Sequence, residues 1–186
     1  MLDIKKALEV LKNGGVIAHA TDTCYGLACD VFNSRALARL YKIKGMSVHK
    51  PISILVSSLR EAMRYGFFNK TALAAARARW PGPFTVIVKR KKTLPKFFNP
   101  KSKTVGIRVP GNALSKKLAV LLGRPITTTS ANISGKPPAY SANAVKKQFA
   151  RQKLKPDFIL DSGRLKKTPP STVIDFSTGK IVIVRA

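Results

Sequence analysis

The residues of this 186-residue chain that could bind an anionic ligand lie in three polar stretches beside predicted strands. Residues 21–26 and residues 130–132 each follow an apolar strand, and Ser171 stands at the approach to another. Side-chain hydroxyls and backbone N–H groups are the donors that a phosphate or a carboxylate needs. Ligands of open α/β sheets collect at the carboxyl ends of strands, so we expect one shared site there. The same residue types also make ordinary turns, so no single stretch is specific.

Two arginines stand within or beside apolar strands. Arg108 lies inside the apolar run 105–109, and Arg185 follows the run 181–184. If the sheet is covered on both faces, the Arg108 guanidinium is partly buried and needs an anion. If the strand is at an edge, Arg108 faces water instead, and Arg185 poses the same alternatives.

Most of the common catalytic sequence motifs are absent from the sequence. It contains no Walker loop, no GxGxxG fingerprint and no zincin motif. Only two histidines occur, His19 and His49, and a lone histidine on a strand, such as His19, is more often structural than catalytic. The few acids are not paired as a glycosidase or a two-metal site requires, and we predict no protein metal site. Cys24 and Cys29 fit neither a CxxC pair nor a zinc pattern, so we expect reduced thiols.

The elements that must position these residues alternate between helices and strands with short connections, which predicts an α/β fold. A hairpin at residues 177–180 favours a mixed open sheet with flanking helices, and no linker divides the chain, so we expect a single domain over residues 1–186. Ser34 is the predicted N-cap of the second helix. The basic stretch 89–103 is either a surface excursion or a lid. Helices are predicted at residues 2–11, 34–43, 113–122 and 141–151 and after the caps Ser58 and Asn69, and strands at residues 16–20, 52–56, 85–88, 105–109, 126–129, 158–160, 172–176 and 181–184.

The most unusual feature of the composition is the net charge of +27, which comes from 35 basic and 8 acidic residues. Such a field attracts nucleic acid and phosphates, although a solubilising surface would show the same balance. The first residues lack the apolar run of a signal peptide, and no segment approaches the length of a membrane span. We therefore expect a cytoplasmic protein without membrane contact.

The motifs together resemble the YrdC-like family of threonylcarbamoyl-AMP synthases, most closely its short single-domain form. Six blocks occur in the family's order across nearly the whole chain, and Arg185 follows them. The blocks are ATDTCYGL (residues 20–27), KIKG (42–45), WPGPFT (80–85), TVGIRVP (104–110), TTSANISG (128–135) and PSTVID (170–175).

The resemblance implies both a fold and a reaction. The fold would be a twisted sheet with helices around a basic concave surface that holds threonine and nucleotide together. The reaction would condense L-threonine, bicarbonate and ATP into threonylcarbamoyl-AMP and pyrophosphate. Partner proteins would then transfer the threonylcarbamoyl group to the adenosine beside the anticodon of tRNA.

Site roles are carried over from the resemblance one motif position at a time. Arg108 would clamp the threonine carboxylate, and Lys44 and Lys50 would face the ATP phosphates. The expected threonine contacts are Thr23, Arg108, Thr128 and Ser171, the expected nucleotide contacts are Lys44, Lys50, Thr104, Ser130, Asn132 and Arg185, and the expected catalytic residues are Lys44, Lys50 and Arg108.

The sequence departs from the family pattern at several of these positions. The family often has an arginine where this chain has Met46, so a phosphate contact is lost or supplied by a neighbour such as Lys50. Many members have asparagine at position 50 and histidine at position 55, where this chain has Lys50 and Leu55. Cys24 replaces a residue that is commonly apolar, which is a conservative change.

The resemblance also accounts for the missing nucleophile. A carbamate formed from bicarbonate and the threonine amine would attack the α-phosphorus of ATP, a step that positioning and charge stabilisation can catalyse. Lys44, Lys50 and Arg185 would supply the charge, and Mg²⁺ would accompany ATP, held mostly by phosphates and water. Two alternatives remain. One is a non-catalytic RNA-binding protein on the same fold, and the other is a carbamoyl-adenylate-forming module like the related domain of hydrogenase maturation, which normally belongs to a much longer protein.

Overall fold

Polar side chains fix the N-terminal ends of the helices. The computed structural model describes residues 3–186, and in it each cap accepts a hydrogen bond from the backbone N–H three residues onward, as Ser58 does from Glu61. Asn33 caps the second helix, so the prediction of Ser34 was wrong, because the longer asparagine side chain reaches the N–H of Ala36. Leu2, which the helical spacing included, lies outside the described residues.

Six helices and ten strands alternate along residues 3–186. The helices are α1 (Ile4–Lys12), α2 (Ser34–Lys44), α3 (Leu59–Tyr65), α4 (Lys70–Arg79), α5 (Ala113–Leu122) and α6 (Ala142–Phe149). The strands are β1 (Ile17–Ala20), β2 (Tyr25–Ala28), β3 (Ser53–Leu55), β4 (Gly66–Phe67), β5 (Phe84–Arg90), β6 (Thr104–Arg108), β7 (Ile126–Ser130), β8 (Phe158–Leu160), β9 (Thr172–Asp175) and β10 (Val182–Arg185).

The ten strands of residues 3–186 form one mixed sheet in the order β10-β9-β5-β6-β3-β7-β2-β1-β8, with β4 paired to β5. The pairs β1–β8, β3–β6 and β5–β9 are parallel, and the other pairs are antiparallel. The prediction of a mixed open sheet with flanking helices is therefore confirmed, and the hairpin at 177–180 joins β9 to β10.

Two hydrophobic cores lie on opposite faces of this sheet. Alternate residues of one strand belong to different cores: Ile54 packs in the larger core and Leu55 in the smaller one. The smaller core is closed by Ala7 and Leu11 of α1 and by Leu118 of α5. These two helices pack mainly against β1, β3 and β8. Within residues 3–186 no helix packs closely over the remaining strands of that face, which leaves room for a cavity.

Two strands were missed by sequence reasoning. Residues 25–28 form β2, a hairpin partner of β1, although the polar loop was predicted to run through Gly26. The short β4 pairs with the end of β5. Neither has the isolated apolar run that marks a strand, because β2 directly follows a polar turn and β4 is only two residues long.

The basic stretch 89–103 is a packed excursion rather than a lid. Leu94 and Phe98 are buried in the larger core. The guanidinium of Arg90 donates to the carbonyls of Phe98 and Pro95, at 2.6 and 2.8 Å. The buried Asn99 side chain pairs with both the N–H and the carbonyl of Ile52. These contacts tie the stretch to the sheet.

Among the helices of residues 3–186, none combines the length and the apolar character that a bilayer span requires.

Candidate active site

A cavity of about 650 Å³ opens on the uncovered part of the sheet face. We call it the main cavity. Its floor comes from the same face of β2, β3, β5 and β7, and the residues there are small or polar: Gly26, Ser53, Thr85 and Thr128. Arg108 of β6 lines the cavity beside them. A Cβ at Gly106 would overlap the Ser53 hydroxyl. The three polar stretches expected at the site all line this cavity, through Thr23, Ser130 and Ser171 among others, and the ligand space extends from them across the middle of the sheet face.

Nine of the ten predicted site residues line the main cavity. They are Thr23, Lys44, Lys50, Arg108, Thr128, Ser130, Asn132, Ser171 and Arg185. Thr104 is not among the lining residues. It begins β6, at the end opposite Arg108, and its hydroxyl lies 3.2 Å from that of Ser102. The structure thus does not bring Thr104 to the other nine.

Arg108 is buried, with 4% of its surface exposed, and its anion is Asp22. One terminal N–H of the guanidinium pairs with the Asp22 carboxylate, and Nε donates to the carbonyl of Gly82 at 3.0 Å. Burial lowers the pKa of Arg108, and the Asp22 charge opposes that shift. Because a guanidinium has five N–H groups, donors remain for a ligand in the main cavity that Arg108 lines. These donors form the planar fork that suits a carboxylate.

Lys44, the last residue of α2, points its ammonium at the loop after β7. Nζ donates to the Ser130 carbonyl and to Asn132 Oδ1, both at 2.7 Å, and lies 3.2 Å from the Asn132 carbonyl. Burial lowers the pKa of Lys44 to about 8. In this arrangement Lys44 holds the loop of residues 130–132 in place and contributes positive charge to the wall of the cavity.

Arg185 positions Ser171 across the β9–β10 hairpin. Its guanidinium donates to the carbonyl and to the hydroxyl of Ser171, both at 2.8 Å. Ser171 ends an irregular stretch, residues 161–171, whose residues Thr168, Pro170 and Ser171 line one wall of the cavity. Tyr25 anchors the start of this 161–171 segment by donating to the Gly163 carbonyl at 2.8 Å. Thr168 anchors it further by donating to the Thr23 carbonyl at 3.2 Å.

Lys50 and Met46 lie in the connection between α2 and β3, and both line the main cavity. The Lys50 side chain is exposed, while its backbone carbonyl accepts a hydrogen bond from the Tyr41 hydroxyl at 3.0 Å. The Met46 thioether brings no charge. The wall on this side therefore has Lys50 as its free cation.

Thr23 and Cys24 complete the turn between β1 and β2. Thr21 orders this turn by donating from its hydroxyl to the Cys24 carbonyl at 2.7 Å. Burial raises the pKa of the Cys24 thiol. A thiol with a raised pKa is a poor nucleophile near neutral pH, so we assign no covalent role to Cys24.

Sequence reasoning missed several lining residues, among them Ser53, Thr85, Thr168 and Tyr140. Ser53 and Thr85 did carry a signal, since each is a lone polar residue at the start of an apolar strand. Thr168 and Tyr140 lie in irregular segments and carried none. Asp22 was noted as part of a polar turn, but nothing in the sequence paired it with Arg108, 86 residues away.

The charge of the main cavity is uniformly positive. Lys44, Lys50, Arg108 and Arg185 line it, and no acidic side chain does within the described part of the chain. Nor do the described residues hold a group of three or more His, Cys, Asp or Glu side chains that could bind a metal. The cavity can therefore hold a polyanion, orient a carboxylate on Arg108 and stabilise charge that develops on phosphate oxygens.

The fold and the cavity define an α/β protein with a cationic, hydroxyl-lined ligand site on an open sheet face. The family model Sua5_yciO_yrdC, described as "Telomere recombination", matches residues 9–186. A relative named threonylcarbamoyl-AMP synthase from Thiobacillus denitrificans is 36% identical over 173 residues, which cover 92% of this chain and 90% of the relative. The chain belongs to the Sua5/YciO/YrdC family.

Solved structures agree with this assignment. The structure of P. abyssi Sua5 complexed with L-threonine matches with a TM-score of 0.90 and 31% identity, covering 98% of this chain and 53% of the Sua5 chain. This chain thus spans about half the length of that protein. E. coli YciO matches with a TM-score of 0.86 and 31% identity, covering 98% of this chain and 87% of YciO.

Proposed function

We propose that this chain synthesises threonylcarbamoyl-AMP from L-threonine, bicarbonate and ATP and releases pyrophosphate. The observation that carries the proposal is convergence: all six motif blocks and Arg185 contribute lining residues to the one main cavity. The curated relative from Thiobacillus denitrificans bears the name of this activity, and the P. abyssi structure is of a complex with L-threonine.

The proposed reaction needs two anionic groups held side by side. Arg108 would receive the threonine carboxylate on its free N–H groups, with Thr23, Thr128 and Ser171 around the rest of the amino acid. Bicarbonate and the amine would form a carbamate with loss of water. A carbamate oxygen would then attack the α-phosphorus of ATP, and pyrophosphate would leave.

The cations of the main cavity would bind the nucleotide. Lys50 and Arg185 would stabilise the charge on the phosphate oxygens, and Lys44 would keep Ser130 and Asn132 directed at the nucleotide. Thr104 lies outside the lining, so we assign it no contact. Mg²⁺ would enter as part of the ATP substrate, bound by phosphates and water.

The proposal extends to the cellular role. Residues 1–186 would act as one domain in the cytoplasm, where ATP and tRNA are found. The product would pass to proteins that transfer threonylcarbamoyl to the adenosine beside the tRNA anticodon. The net charge of +27 favours contact with tRNA as well.

The test is pyrophosphate release from ATP by the purified chain in bicarbonate and Mg²⁺, with and without L-threonine. We expect release that depends on threonine and a product that contains AMP, the carbamate and threonine by mass spectrometry. L-serine and L-valine serve as matched controls, since one lacks the methyl group and the other the hydroxyl. Release that requires a carbamoyl donor in place of threonine would instead favour the carbamoyl-adenylate module, and no release with intact tRNA binding would favour the RNA-binding alternative.

A further inference from the structure

A second cavity, of about 280 Å³, lies beside the main cavity, between α6 and the 161–171 segment. Pro138 and Tyr140 line both cavities, so the two adjoin there. The 161–171 segment is shared in the same way. Its residues Leu165 and Lys167 line the second cavity, and its later residues line the main one.

The second cavity is cationic. Lys147 on α6 and Arg164 and Lys167 on the 161–171 segment line it, and no acidic side chain does within residues 3–186. None of the ion pairs formed by the described residues involves these three side chains. Three exposed side-chain cations thus line one concavity, and the described residues place no carboxylate in its lining to neutralise them, which favours an anionic ligand.

Size and wall chemistry favour a small anion such as a phosphate. The volume of about 280 Å³ is less than half of the 650 Å³ of the main cavity. The wall is held in shape by the backbone N–H of Leu165, which donates to the Tyr140 carbonyl at 2.8 Å. Lysine and arginine are the side chains that bind phosphate oxygens most strongly.

We infer that the second cavity is a binding site for inorganic pyrophosphate as it leaves the main cavity. The source of the anion rests on the proposed function, since that reaction releases pyrophosphate into the main cavity, which adjoins the second cavity at Pro138 and Tyr140. The geometry and the charge of the second cavity do not depend on the proposed function. Binding there would draw pyrophosphate away from the reacting groups without any covalent step.

The test compares two triple variants by isothermal titration calorimetry with inorganic pyrophosphate, without ATP or threonine. The site variant is Lys147→Ala/Arg164→Ala/Lys167→Ala. The control variant removes three exposed cations near the same sequence positions that do not line either cavity, and it loses the same net charge. It is Lys146→Ala/Arg151→Ala/Lys166→Ala.

We expect the unmodified chain and the control variant to bind two equivalents of pyrophosphate. The site variant should keep one equivalent and bind the other at least roughly tenfold more weakly, because charge-assisted hydrogen bonds are lost. Thermal unfolding followed by circular dichroism checks that the fold is retained. If the triple variant does not fold, Arg164→Ala against Arg151→Ala repeats the comparison with one charge.

Two results would overturn the inference. One is equal pyrophosphate binding by the site and control variants. The other is a tRNA affinity that falls in the site variant alone while its pyrophosphate binding is unchanged, which would assign the cavity to an RNA phosphate. Calorimetry does not require the chain to be an active synthase, so failure of the proposed function would appear separately, as absent threonine-dependent pyrophosphate release.

Discussion

Arg108 and Asp22 form a buried ion pair. Arg108 has two roles: it stabilises the fold through this pair, and its remaining N–H groups are available to bind a ligand. The Arg108 side chain is 5% exposed and that of Asp22 is 11% exposed. Removing one partner of a buried pair leaves an uncompensated charge, at a cost of about 3–5 kcal/mol. Arg108→Ala is therefore expected to lower the stability of the fold as well as to weaken threonine binding.

A double-mutant comparison separates these two effects. We expect Arg108→Ala to lower the free energy of unfolding by about 3 kcal/mol and to raise the threonine concentration needed for turnover by more than roughly tenfold. Adding Asp22→Asn should restore part of the stability, since the orphaned carboxylate is gone, but none of the threonine binding. Urea unfolding and the KM for threonine are the measurements.

The exposed pair of Arg39 and Asp157 provides the control for this prediction. Their side chains are 35% and 32% exposed, so Arg39→Ala should cost less stability and leave the KM for threonine unchanged. An ordinary KM for threonine in Arg108→Ala would remove Arg108 from the threonine site. A double variant no more stable than Arg108→Ala would show that the Asp22 charge is not the cause.

Met46 is an uncharged residue in the lining of a cationic cavity. We expect Met46→Arg to lower the KM for ATP several-fold, because the added guanidinium would reach the phosphates in a partly enclosed site, and to leave the KM for threonine unchanged. Met46→Gln is the matched control, with similar length and no charge. A KM for ATP that is unchanged or higher in Met46→Arg would place the phosphates away from this wall.

At the scale of elements, His19 of β1 and Ser115 of α5 join the sheet to its covering helix. Both side chains are buried, and both donate to the Ala20 carbonyl at 2.9 Å, which assigns the histidine proton to Nδ1. Burial lowers the pKa of His19 from 6.5 to about 4, opposed by its backbone hydrogen bond. His19 is thus a neutral structural residue in a closed interface, and it does not line the main cavity.

The lowered pKa makes the stability of the chain depend on pH. Between pH 6.5 and pH 4 the unfolded state binds a proton at His19 that the folded state does not, so stability is full above pH 6.5 and falls as the pH is lowered. We expect the free energy of unfolding to be about 2 kcal/mol lower at pH 5 than at pH 7 from this group alone. Urea unfolding at several pH values measures it.

The other histidine provides the control. His49 is exposed, so His49→Gln should keep the pH dependence, while His19→Asn should flatten it between pH 5 and pH 7. Equal slopes in the two variants would contradict the assignment to His19.

At the scale of the whole molecule, the charge of +27 governs how the chain meets polyanions. Binding that rests on phosphate contacts releases counterions, so affinity falls steeply as salt is added and depends little on base sequence. We expect tRNA affinity to fall at least about tenfold between 50 and 200 mM salt, with a scrambled RNA of the same length behaving alike. Filter binding over a salt series measures it, and an affinity that barely changed would argue against a charge-driven RNA surface.

Much of the fold was predictable because it is encoded in local patterns. The predicted span of α5 matches the structure, since apolar spacing, the Asn112 cap and the left-handed Gly123 act within a few residues of each other. β2 was missed because its own residues carry no clear strand pattern. It is a strand because it pairs with β1 and β7, and such pairing depends on segments outside β2 itself.

The sequence by itself determined which residue types and motif blocks the chain carries, and hence its family. Nine of the ten predicted site residues come together in the main cavity, although their roles stay predictions. Only the tertiary structure decided that the cavity lies on the sheet face, that Asp22 neutralises Arg108 and that Thr104 stands apart. The reason is physical: caps and periodicity act over a few residues, whereas an ion pair or a cavity forms only after distant segments are packed against one sheet.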